Sequence, residues 1–242
     1  QDSTACNFNA NATDAGSCTY PNSGFDCDGN LLGAGPNFYV SPTGDDTNDG
    51  LSPETPFGTM PHAVDQLVPG ATLNIMPGTY TNPTYGDIEY WKTQVESALF
   101  VNNVHGTPDA WITIQGYGDL NDVVLKSDGL SAVLVKNSSY IRVQNLRVFG
   151  ETQNIPLELA LEWQYAYLDE NDSLQYRVPE GLTYEEIEAM EFPILDFCKR
   201  TTYFNTSGIF VNVSNFVEVL NNHVSYMPGE GIRSFECDHI LI

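Results

Sequence analysis

The sequence predicts an all-β chain wound as a right-handed parallel β-helix, a solenoid, and internal repetition carries that reading. "GIFVNVSNFVEV" at Gly208–Val219 aligns with "GIRSFECDHILI" at Gly231–Ile242, offset by 23 residues, which sets Ile209 on Ile232, Val217 on Ile240 and Val219 on Ile242. That offset is about one turn of a coil whose strands stack on their equivalents a turn earlier. "VLVKNSSYIRV" at Val133–Val143 is a third copy, with Tyr140 over Phe216, Ile141 over Val217, Asn145 over Asn221 and Val148 over Val224. Asn recurring at a bend predicts a hydrogen-bonded ladder that satisfies backbone groups inside the turn.

Residues 1–35 form a first unit, rich in Asn, Asp and Gly, and residues 36–242 form the coil. Cys6, Cys18 and Cys27 crowd a segment too poor in large apolar residues to fold on a core, which predicts disulfides and an oxidising compartment. Cys198 and Cys237 bring the count to five, an odd number that expects a partner outside the chain; Cys237 reads as a small buried filler in a strand. "DCDGN" arranges Asp26, Asp28 and Asn30 around Gly29 as the beginning of an oxygen-ligand loop for Ca²⁺, and a disulfide-pinned cluster of turns accounts for the same residues. The stretch "DSTACNFNANATDAGSCTY" with "DCDGN" resembles a short Cys/Asp-rich repeat of extracellular proteins from marine microbes. The resemblance implies an extracellular or cell-surface location. It also implies a further Cys just before the first residue, and Leu31 stands where the repeat has its last Cys.

In "NFYVSPTGDDTNDGLSPETPFGTMPHAVDQLVPGATLNIMPGTY", Phe38–Val40 reads as a short strand, and the Asp and Asn of "GDDTNDG" as residues that bond their own backbone in a loop. Thr59 caps a short helix with Pro61 in its first turn and Ala63, Val64 and Leu67 on one face; Leu73 and Ile75 alternate as a strand. This order resembles the opening of right-handed parallel β-helices of the pectate-lyase-like superfamily, which implies that Thr59–Leu67 lids the apolar end of the coil. The superfamily spans lyases, hydrolases, epimerases, adhesins and structural proteins, so the resemblance points to architecture.

An excursion near 81–98 carries Tyr85, Tyr90 and Trp91. The third repeat lies 76 residues upstream of its partner, so about 53 residues beyond one turn bulge out near 151–205. That insertion reads as helical: Pro156 opens "LELALEWQYAYL", and Thr183 with Glu186 forms a capping box. The apolar ending "ILI" is an uncapped rung, a template for aggregation, and predicts further rungs or a covering subunit at that end.

Thirty-two acidic against nine basic residues give a net charge of −23, which disfavours nucleic acid and anionic lipid and repels polyuronates and sulfated glycans at long range. The same surface suits divalent cations, neutral sugars or simple solubility in a secreted protein. No apolar run is long enough to span a membrane. Sequons at Asn11, Asn137, Asn171, Asn205 and Asn212 permit glycosylation of the chain as a glycoprotein. Trp91, Trp163, Tyr165 and Tyr167 can stack on sugar faces or pack their loops onto the coil. Glu230, Arg233 and His223 are the acid–base candidates, in no motif of known spacing. Two functions result. One is a secreted or surface-exposed structural or adhesive β-helix, glycan-associated and part of a larger protein or filament. The other is a carbohydrate-active enzyme, a polysaccharide lyase or glycoside hydrolase, with catalytic rungs partly beyond residue 242.

Overall fold

A computed structural model describes residues 35–83, 85, 97–127, 131–154 and 206–242, with Ser17, Thr183, Glu185 and Glu186 and the backbone of 166–168 and 174–176. In chain order its elements are β1 (Asn37–Val40), α1 (Met60–Asp65), β2 (Thr72–Ile75), β3 (Gly78–Thr81), β4 (Leu99–Asn102) and β5 (Ile112–Gly116). They continue through β6 (Val123–Lys126), β7 (Ser131–Lys136), β8 (Ser139–Gln144), β9 (Arg147–Phe149), β10 (Ala166–Leu168) and β11 (Leu174–Tyr176). The last are β12 (Ser207–Asn212), β13 (Asn215–Leu220), β14 (His223–Ser225), β15 (Glu230–Phe235) and β16 (Asp238–Leu241).

Three parallel sheets result: a first of β1-β2-β5-β8-β13-β16, a second of β4-β7-β12-β15, and a third of β3-β6-β9-β14. The chain visits second, first and third sheet in turn and returns, the path of a right-handed parallel β-helix. The repeat alignment holds residue by residue. Ile209 pairs with Val133 on one side and Ile232 on the other, and Val217 with Ile141 and Ile240. Val148 pairs with Val224.

Side chains alternate in and out along each strand. Leu99, Val133 and Ile209 form one inward column; Ile112, Ile141 and Val217 form another; both are 0% exposed. Tyr80, Leu125 and Val148 supply the third wall. Burying such a side chain contributes about 1.5–3 kcal/mol, so the columns are the main source of stability. Tyr80 brings a hydroxyl inside and satisfies it on the Met76 carbonyl at 2.8 Å and the Val40 carbonyl at 3.1 Å. Burial pushes that phenol well above its usual pKa, so it remains a donor.

Helix α1 begins as the sequence predicts. Thr59 is its N-cap, accepting from the His62 N–H at 3.3 Å, and Met60, Ala63 and Val64 enter the core. Asp46, from the loop before it, receives the N–H groups of Gly58 and Thr59 at 2.8 and 2.9 Å and the Thr59 hydroxyl at 2.7 Å. Asp45 and Asp49 bond their own loop, at Thr47 and Leu51, as expected.

The insertion departs from its expected form. Ala166–Leu168, within the stretch read as helix, pairs antiparallel with Leu174–Tyr176. An apolar run with aromatics fits a hairpin strand as well as a helix face, and tyrosine favours the extended chain. The capping box does form: the Thr183 N–H reaches Glu186 Oε2 at 2.7 Å, and the Glu186 N–H reaches Thr183 Oγ1 at 3.2 Å.

Candidate functional site

Two of the coil's three corners use their polar groups on the backbone. The corner from second to first sheet is closed by Asn137–Ser138, Val213–Ser214 and Glu236–Cys237, and each pair opens on positive φ, at 48°, 47° and 53°. Ser138 and Ser214 are buried and donate to the carbonyls of Lys136 and Asn212, at 2.7 and 2.8 Å, while Ser214 Oγ accepts the Ser138 N–H at 3.1 Å. Cys237 Sγ takes the same place one rung on, donating to Phe235 O at 3.1 Å; it is half-buried at the corner between β15 and β16, not buried within a strand as the sequence suggested. At the corner from first to third sheet, Asn221 Nδ2 donates to Asn145 Oδ1 at 2.6 Å, and Asn222 Oδ1 accepts the Leu146 N–H at 2.9 Å. This is the expected asparagine ladder.

The third corner differs. Connections 82–98 and 150–206 leave the third sheet here and return to the second, beside the short links 127–130 and 226–229. Glu151, only 8% exposed, lies at the root of the longer one. One carboxylate oxygen accepts the Tyr85 hydroxyl from the other excursion, and the second accepts Asn154 Nδ2 at 2.5 Å. The next rung is tied in through Thr152, whose N–H and hydroxyl both donate to the Tyr226 carbonyl. Gly150 permits this approach, because a Cβ there would lie 2.2 Å from the Tyr226 oxygen. The Tyr226 side chain is 45% exposed, with its ring tilted against Phe149 at 4.8 Å between centroids. Planar rings beside a fixed carboxylate and amide are the groups with which proteins hold sugars.

Of the sequence candidates, Glu230 and Arg233 come together on β15, with Arg233 Nε 3.5 Å from Glu230 Oε2. Arg233 points outward, its guanidinium 4.8 Å from the Phe210 ring centre. Glu230 lies within the strand, opposite Ser207. His223 belongs to a different sheet, opposite Arg147 on β14, so the three do not form one cluster. Asn137 is exposed and Asn212 half-buried. Asn11, Asn171, Asn205, Asp26, Asp28, Asn30, Trp91, Trp163 and Tyr165 lie outside the described residues, and Tyr167 is described only as backbone in β10. Among the described residues no group of three or more His, Cys, Asp or Glu is placed to hold a metal, and no helix is long and apolar enough to cross a membrane.

Sequence reasoning missed Glu151 and Asn154, which carry no motif. It also missed an outward aromatic column on the first sheet, although it paired two of its members. Trp111 meets Tyr140 edge-on at 5.6 Å, Tyr140 stacks on Phe216 at 4.6 Å, and Phe216 on His239 at 4.4 Å. A smaller polar chain joins Ser139 Oγ to His105 Nδ1 at 3.0 Å and His105 Nε2 to Asn103 Oδ1 at 3.3 Å, exposed at the tight corner.

No known protein family matches the chain. A segment of 51 residues, 21% of the chain, is 46% identical to the uncharacterized protein YwoF of Bacillus subtilis (strain 168), and spans 11% of that protein's length. Among solved structures, the GH136 lacto-N-biosidase of Eubacterium ramulus is similar over 81% of this chain and 28% of its own, at 19% identity and a TM-score of 0.45. A rhamnogalacturonan lyase matches over 78% of this chain and 36% of its own, at 16% identity and a TM-score of 0.38. The pectate lyase Pel9A matches over 85% and 48%, at 14% identity and a TM-score of 0.36.

Proposed function

We propose that the chain is the glycan-binding part of an extracellular carbohydrate-active β-helix protein, with the sugar held at the corner from third to second sheet. The observation that supports this best is Glu151. It is a buried carboxylate held by neutral donors, Tyr85 and Asn154, at the corner where both excursions leave the coil and Tyr226 is exposed. A carboxylate so oriented accepts sugar hydroxyls, and it is the type of group that exchanges a proton with a glycosidic oxygen. The enzyme alternative thereby acquires an acid–base candidate that the sequence did not offer. The structural reading draws support from a different feature: the Ser and Asn columns at the two tight corners and the stacked rings on the first sheet recur between successive later rungs and stiffen the coil.

The test is affinity electrophoresis of the chain through gels containing neutral and acidic polysaccharides, with reducing ends measured in parallel. Retardation by at least one polysaccharide, weakened about tenfold by Tyr226→Ala through loss of a stacking ring, is the expected result. Glu151→Gln should preserve the fold and lower either binding or reducing-end release. Migration unaffected by every polysaccharide would leave only the structural role.

A further inference from the structure

We propose that the outer face of the third sheet is a subsite for the anionic group of a charged sugar, a carboxylate or a sulfate ester. In a chain of net charge −23, carboxylates are plentiful partners for its nine basic residues. Arg142 follows that expectation, with Nε 2.7 Å from Glu218 Oε2, and Arg233 has Glu230. Lys126 and Arg147 have no carboxylate partner among the described residues. Each lies 5.6 Å from the centre of the Phe149 ring, Lys126 from the rung before and Arg147 from the same strand. His223 stands opposite Arg147 on the following rung. The outward positions of the strands on this face are Thr79, Thr81, Val124, Lys126, Arg147, Phe149, His223 and Ser225, without a carboxylate.

Two further atoms point the same way. Arg147 Nε and Ser225 Oγ are buried and find no hydrogen-bond partner among the described residues, although buried donors are ordinarily paired. Ser225 lies opposite Phe149, so both atoms belong to the patch. Cations set around a ring, with the exposed Tyr226 beside it, combine a charge acceptor with flat surfaces for a sugar. The inference rests on the glycan reading for the sugar, and on the unneutralised cations for its charge.

The experiment compares the retention of the full chain by polygalacturonate with that by fully methyl-esterified polygalacturonate, and by dextran sulfate with that by dextran. Within each pair the backbone is shared and only the charge differs. Retention about tenfold stronger for the charged member of one pair is expected, which also tells carboxylate from sulfate. Rising salt should reduce the preference. Lys126→Gln with Arg147→Gln should abolish it, and His223→Asp, at an exposed position that leaves packing intact, should weaken it several-fold. Equal retention of charged and neutral members, or a preference that survives all three substitutions, would overturn the proposal. If neutral polysaccharides alone are retained, the corner site stands without this patch; if none is retained, both fall.

Discussion

Asp46 shows how one side chain fixes the start of the coil. Its carboxylate receives two backbone N–H groups and the hydroxyl of the helix N-cap, Thr59. Desolvation by itself would raise its pKa, but the bonds from Thr59 and Gly58 outweigh it and hold the group below the usual carboxylate range. A carboxyl lowered on folding stabilises the native state above its unfolded pKa of about 3.9, and that contribution is lost as pH falls through the folded value. Asp46→Ala should therefore lower the urea midpoint at pH 7, with a gap to wild type that narrows below about pH 4. A gap independent of pH would mean that the charge of Asp46 is not what anchors the helix. The local role of Asp45 and Asp49 was legible in the sequence, because an Asx turn is completed within a few residues. The reach of Asp46 to Gly58 was not, since it depends on where the loop folds back.

At the scale of the rung, the periodic columns were legible and the corner chemistry was not. Ile209, Val217 and Tyr140 declared their partners because successive turns repeat the same inward and outward positions. Glu151, Tyr85 and Asn154 are brought together by excursions that have no counterpart in other turns, so no alignment of the chain with itself finds them. The tight corner shows the same division. Asn103 and Asn137 occupy its left-handed position comfortably, whereas Val213, with φ of 47°, is β-branched and 44% exposed. Val213→Asn should raise stability by about 1 kcal/mol, since the strain is relieved and no core contact is lost. The reverse change, Asn137→Val, should lower it by a similar amount. Equal stability of Val213→Asn and wild type in thermal or urea denaturation would show that the neighbouring rungs, and not the residue, set the cost of this turn.

Over the whole molecule, two corners close on two-residue links in the later turns while the third carries the two longest connections, and the proposed glycan site lies there. The core columns hold β3, β6, β9 and β14 in register regardless of what leaves the third corner, so Glu151, Tyr226 and the Lys126–Phe149–Arg147 face are carried on a common frame. The helical expectation for the insertion gave way at Ala166–Leu168 for a related reason: outside the repeat, only local pattern remained to guide it. The most direct measurement is a crystal structure of the chain with the oligosaccharide it retains best. A sugar ring is expected against Tyr226 or Phe149, with hydroxyls hydrogen-bonded at the corner of Glu151 and Asn154. A sugar bound instead on the first sheet, along Trp111, Tyr140 and Phe216, would contradict it.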